Sequence, residues 1–218
     1  MKKIRHGVVM VMALIMMGAC VNKEKTSQSG TVVIINGPSS VGKSSIIKAF
    51  QAQQKTLWLG IGIDNFFVGV LPPKFYLEDK PEHRLVMHGV ASEDKIGKLF
   101  TLDVGPEGQK VIKGMHRAIA AYVREGNNVL VDYIQYDPAW IADLKKVLQG
   151  FNVVWVGVTA SLQSIEQREK QRGTSPEGHA RSHYHTVHQG MKYDVMLNTD
   201  GLSPDQAADK INSFIKNK

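Results

Sequence analysis

The stretch TVVIINGPSSVGKSSIIKAFQAQ (Thr31–Gln53) constrains the fold more than any other part of the chain. Its β-branched opening, Thr31–Asn36, reads as a buried parallel strand. The strand enters Gly37-x-x-x-x-Gly42-Lys43-Ser44, after which Ile46, Ile47 and Phe50 recur on one helical face. A glycine-bounded loop between strand and helix turns successive backbone N–H groups inward, and the helix adds its positive end. Strand, loop and helix in this order are the setting that a triphosphate-binding loop requires. Gly37, Ser39, Ser40, Val41, Gly42, Lys43, Ser44 and Ser45 are therefore expected to hold the tail of ATP. Lys43 would place a point charge on the β- and γ-phosphates, and Ser44 a hydroxyl ligand on Mg²⁺.

Further strands are expected at Leu57–Ile63, Asn127–Asp132, Phe151–Val158 and Asp194–Thr199. Helices are expected between them: Gly105–Gly126 on the spacing of Val111, Met115, Ile119 and Val123, then Pro138–Gly150 and Ser161–Gly173. Ser203, Pro204 and Gln206 form a capping box for a last helix. Five strands alternating with helices predict an α/β fold of the P-loop NTPase, nucleotide-kinase-like kind: a five-stranded parallel sheet with helices on both faces. Ligands of such sheets sit at the carboxyl ends of the strands. Residues 65–105 are less regular; a short hairpin is expected near His83–Gly108, in a region suited to an acceptor pocket.

The strand-end rule selects two acids. Asp132 follows NVLV and is the candidate to order magnesium, with Ser44 as the other metal residue. Asp64 follows the second strand; it is either the base that takes a proton from an alcohol or the N-cap of NFFVGV. Asp137, just before Pro138, reads as a helix cap.

QREKQRGTSPEGHARSHYH brings Arg168, Arg172 and Arg181 around a Gly/Ser/Pro turn. Arginines placed after the fourth strand suit a lid, here about residues 168–185, that neutralises phosphate charge. His179, His183, His185 and His188 crowd the same segment, but without cysteine or fixed tetrahedral spacing they read as exposed lid residues rather than metal ligands.

The chain begins with a basic MKKIRH and an uncharged run, Gly7–Ala19, too short to span a bilayer and suited to a signal peptide over residues 1–20. Its MGAC end resembles the bacterial lipoprotein box, with cleavage before Cys20 and residues 20–30 as a polar tether. That places the protein on a membrane through a lipid on Cys20. Translation from Met10, Met12, Met16 or Met17 would instead leave a cytoplasmic enzyme. Three of the 27 basic residues, Lys2, Lys3 and Arg5, lie in this segment; the remaining 24 face 20 acids. So mild an excess suits a nucleotide enzyme and gives no argument for a nucleic-acid partner. With Cys20 alone, no intrachain disulfide forms. The sequence sets no oligomeric state.

INGPSSVGKSSI, then WLGIGIDNFF, DVGPEGQKVIKGMHRAIAAYVREGNNVLVDYI, VVWVGVTA and TVHQGMKYDVMLNT follow one another across Thr31–Thr199. In that order they resemble the chloramphenicol phosphotransferase family of P-loop kinases. The resemblance implies transfer of the ATP γ-phosphate to a hydroxyl of a small molecule. It places Asp64 on the family's proposed base, and Lys43, Ser44, Arg168 and Arg172 on its nucleotide positions. VGVLPPKFYLEDKPEHRLVMHG does not align with the antibiotic-binding part. The acceptor therefore stays open between a chloramphenicol-like alcohol and a nucleoside or nucleotide sugar, as in zeta-type toxins. A tethered nucleotide-binding module without acceptor chemistry is the third reading.

Overall fold

A computed structural model describes residues 28–72, 75 and 84–218. The expected signal peptide, Cys20 and most of the expected tether lie outside the described residues, as do residues 73, 74 and 76–83 of the segment that resists alignment. The main sheet has five parallel strands: β1 (Thr31–Asn36), β2 (Trp58–Gly62), β5 (Asn128–Tyr133), β6 (Asn152–Thr159) and β7 (Val195–Asn198), in the order β2-β5-β1-β6-β7. The expected five-stranded α/β architecture is the one observed.

Alternation along β1 explains the two layers around it. Val33 and Ile35 face one way, into a core with Ile46, Phe50, Leu130, Val156, Ile165 and Ile211. Val32 and Ile34 face the other, among Ile112, Met115, Ile119, Val131 and Leu144. The first core lies under α1 (Lys43–Gln53), α5 (Leu162–Arg172) and α7 (Pro204–Asn217), the second under α3 (Pro106–Arg124) and α4 (Pro138–Val147). Each large apolar side chain buried this way contributes about 1.5–3 kcal/mol.

Local signals place the ends. Gly126, in the left-handed region at φ 87°, follows α3. Asp137 caps α4 by accepting Ala139 N–H at 2.8 Å. The Ser203–Gln206 box opens α7. Gly30 is buried and donates its amide to Val123 at 2.8 Å, so the folded body takes in the last residue of the expected tether.

The irregular region resolves into α2 (Ile63–Phe67) and a separate antiparallel hairpin, β3 (His88–Glu93) and β4 (Lys98–Asp103). Asp94 closes its turn, accepting from Ile96 and Gly97 at 2.8 and 3.0 Å. The hairpin lies outside the main sheet, against the short helix α6 (His179–Ser182). Phe100 N–H donates to Gly178 O at 3.3 Å. Gly178 is required there: it has φ 84°, and a Cβ would stand 2.2 Å from the Lys98 carbonyl oxygen.

Candidate active site

The loop leaves β1 between two neighbours, with Ile35 in register with Asp132 of β5 and Asn36 with Gly157 of β6. Its backbone carries the strain expected of an anion cradle: Gly42 has φ 102° and Ser40, unusually for a non-glycine, φ 60°. Gly37 allows a close approach, since a Cβ would meet Val158 O at 2.4 Å. The Val41 side chain points into the core, so only its backbone serves the loop.

Lys43 is buried and curled over the loop, donating to Gly37 O at 2.9 Å and Pro38 O at 3.0 Å. Its ammonium lies 3.4 Å from one Asp132 oxygen. Ser44 donates to the other at 2.8 Å. Burial pulls the Lys43 pKa below its ordinary value, and Asp132 works against that shift.

Asp64 proves to be the second residue of α2, not its N-cap. Gly62 holds the cap position, and its amide donates to Asn65 Oδ1 at 2.6 Å. The Asp64 carboxylate opens into the cleft. Its pKa is raised, first by the surrounding protein and then by Asp132, with Lys43 and Arg172 opposing.

The cleft has a volume of about 570 Å³ and two unlike halves. Ser39, Ser40, Gly42, Lys43, Ser44, Ser45, Asp132, Arg168 and Arg172 line the phosphate half. The other half is walled by Ile63, Phe67, Met87, Phe100, Leu102 and Trp140. The cations among the described lining residues are Lys43, Arg168 and Arg172, all on the phosphate side.

The three arginines differ from one another. Arg172 donates to Ser175 Oγ at 2.7 Å and reaches Ser39 Oγ at 3.4 Å. Arg168 is a strut: it donates to Thr199 Oγ1 and Thr199 O at 2.9 and 3.0 Å, and more weakly to Val41 O. Arg181, expected in the lid beside them, is instead buried and turned away from the cleft. It pairs with Asp94 at 3.0 Å, with Glu166 and with the Lys98 carbonyl, fastening the hairpin turn to α5 and α6.

The histidines also depart from expectation. His179 and His183 are buried, because the hairpin and the end of β5 close over them. Their rings lie 4.9 Å apart, beside that of Tyr136. His185 is exposed. The hairpin expected near His83–Gly108 is present, but its wall residues Phe100 and Leu102, and Tyr136, were not singled out from sequence. For Tyr136 the available signal was its place just beyond β5, at the carboxyl edge that selected Asp132.

Magnesium suits the oxygens that converge here. Ser44 and Asp132 are hard oxygen donors in contact, and a P-loop magnesium takes its remaining positions from water and phosphate. Among the described residues no cluster of three or more His, Cys, Asp or Glu is arranged as a metal site.

Solved structures of the same architecture include kinases. The APS kinase CysC of Mycobacterium tuberculosis, solved with AMPPNP and APS, superimposes with a TM-score of 0.58 at 18% identity, covering 86% of this chain and 98% of that one. A gluconokinase from Sinorhizobium meliloti 1021 gives 0.53 at 13%, over 87% and 93%. These likenesses show the fold. Closer in sequence is the Mycobacterium tuberculosis protein named "Putative O-phosphotransferase Rv2636", 32% identical over 171 residues, 78% of this chain and 75% of that protein. The match to the family described as chloramphenicol phosphotransferase-like protein runs from residue 30 to residue 216, and the chain belongs to that family.

Proposed function

We propose that the protein transfers the γ-phosphate of ATP to a hydroxyl of an uncharged, largely apolar small molecule, with Asp64 as the base. The observation that carries this reading is the division of one cleft. Asp64 shares it with the Lys43–Asp132–Ser44 cluster and with a wall of Phe67, Phe100, Leu102 and Trp140.

In the proposed reaction the loop amides and Lys43 hold the triphosphate, and Arg172 faces its charge. Asp64 takes the proton as the alcohol oxygen bonds to the γ-phosphorus, and the bond to the bridging oxygen breaks to release ADP. Magnesium, which Ser44 and Asp132 would hold, would supply charge neutralisation at the phosphates. A carboxylate with a raised pKa is a better proton acceptor than an ordinary aspartate.

The apolar wall weighs against a nucleotide sugar, whose phosphates call for cations that the described lining lacks on that side. It also weighs against a module without acceptor chemistry, which has no use for a base beside an apolar chamber. Full-length protein with γ-labelled ATP, Mg²⁺ and a panel of acceptors tests the reading. The panel holds chloramphenicol, simple aromatic and aliphatic alcohols, nucleosides and a nucleotide sugar. Label is expected on an uncharged apolar alcohol; label on the nucleotide sugar alone would refute the acceptor class.

A further inference from the structure

The crowded histidines have no part in the reaction just described, yet two of them are buried against its machinery. Ser39, the second residue after Gly37 in the phosphate loop, donates its backbone N–H to His183 Nε2 at 3.0 Å. Both residues are buried, at 6% and 4% exposure. An imidazole nitrogen that accepts a hydrogen bond carries no proton, so the proton of His183 is on Nδ1. That nitrogen lies 3.3 Å from Ser182 Oγ, whose own hydrogen goes to His179 O at 2.7 Å. Every role in this chain of bonds is therefore fixed, and only one tautomer of His183 satisfies it. Burial and the neighbouring His179 and Lys43 pull the His183 pKa far below that of a free imidazole.

The chain continues to the acceptor side. His179 Nδ1 lies 3.3 Å from the Phe100 carbonyl and so donates to it. Its Nε2 then accepts from the Tyr136 hydroxyl at 3.0 Å. Phe100 and Tyr136 both line the cleft. Ser39 is gripped a second time by Arg172 on its hydroxyl. A loop amide is thus held by a side chain 144 residues further along the chain.

We propose that His183 is a positioning residue of the phosphate loop, holding the Ser39 amide so that the neighbouring N–H groups present the curvature that a triphosphate tail requires. The proposal rests on the nucleotide-binding part of the reading above. His183 acts through Ser39 and has no contact with substrate. Its link through Ser182 and His179 to Phe100 and Tyr136 ties the loop to the acceptor wall.

The test has a spectroscopic arm and a binding arm. An N–H···N bond transmits a scalar coupling, so the ¹⁵N-labelled full-length protein should show one between Ser39 N and His183 Nε2, with Nε2 unprotonated. Absence of that coupling, with the proton on Nε2, would overturn the proposal whatever the protein binds. Calorimetry with the non-hydrolysable triphosphate AMPPNP and Mg²⁺ then compares variants. His183→Leu, which offers no acceptor, is expected to bind roughly tenfold more weakly. His183→Gln, whose Oε1 can stand where Nε2 was, should recover to within about threefold of wild type. The Gln variant and the wild-type spectrum keep the proposal falsifiable where the Leu variant fails to fold. Wild type that binds no nucleotide would end the kinase reading, and this inference with it. Wild type that binds while the Leu variant binds equally well would end only the role given to His183.

Discussion

The Ser44 hydroxyl donates to the Asp132 carboxylate at 2.8 Å, joining the first turn of α1 to the end of β5. The bond holds both oxygens at one point on the cleft floor, beside the Lys43 ammonium. Ser44→Ala removes one of the two and leaves Lys43 and the loop amides in place. The expected result is a loss of about 10–100-fold in kcat/KM, with a higher magnesium requirement, read from rate against Mg²⁺ concentration.

Asp64 and Lys43 separate chemistry from binding. Asp64→Ala removes the proposed base, and kcat is expected to fall by about 10²–10⁴ while AMPPNP affinity stays within about threefold. Lys43→Ala is expected to lose both transfer and nucleotide binding, since Lys43 grips the loop as well as the phosphates. An Asp64→Ala enzyme that turns over at the wild-type rate would remove Asp64 from the mechanism.

The raised pKa of Asp64 has a sign that can be checked. Folding favours its protonated form, so the charge opposes folding once pH exceeds the folded-state pKa. Asp64→Asn should therefore raise Tm at pH 7–8, by about 2–4 °C. The gain should shrink as pH falls through the folded-state pKa and vanish below the ordinary aspartate value of 3.8, where both states carry the proton. The same direction places the acid limb of the activity profile above that of an unperturbed carboxyl.

Glu169, buried at the end of α5, accepts from Gly178 N–H at 2.9 Å and Ala180 N–H at 2.7 Å. Glutamine has one acceptor oxygen and would aim an NH₂ at one of these donors. Glu169→Gln is expected to destabilise the fold by about 1–3 kcal/mol in urea titration. Hydrogen exchange should quicken in residues 178–183 before the sheet.

Phe50 packs edge-on against Trp58 at 4.9 Å, fully buried beneath the sheet. Phe50→Ala should cost about 3–5 kcal/mol, with nucleotide affinity of the folded fraction unchanged. Loss of affinity without loss of stability would contradict the separation of core from site.

The phosphate loop was legible from sequence because its parts are adjacent: strand, glycines, lysine and helix lie within one short segment and need no distant partner. Asp64 and Asp132 followed from a rule about strand ends; the structure puts Asp64 two residues beyond the end of β2, whose Gly62 pairs with Asp132. The Asp64 cap alternative needed the backbone to decide, since α2 starts two residues earlier than the pattern suggested. Arg181, His179 and His183 were misjudged for one reason. Their partners Asp94, Phe100 and Ser39 lie 87, 79 and 144 residues away, and a polar composition alone cannot distinguish a solvated segment from one sealed under a hairpin.

That hairpin pairs with none of the five parallel strands, yet it supplies Phe100 and Leu102 to the chamber where the acceptor would sit. The floor is built by the phosphate loop, α1 and α2 at the carboxyl end of the main sheet and the chamber's far wall by an appendage, so the two answer to different pressures. If the proposed reaction holds, exchanges at Phe100 and Leu102 of β4 would retune which acceptors are admitted while the floor keeps its shape. Selectivity in this architecture is adjustable at the periphery, and a library confined to Phe100 and Leu102 of β4 is the economical place to change it.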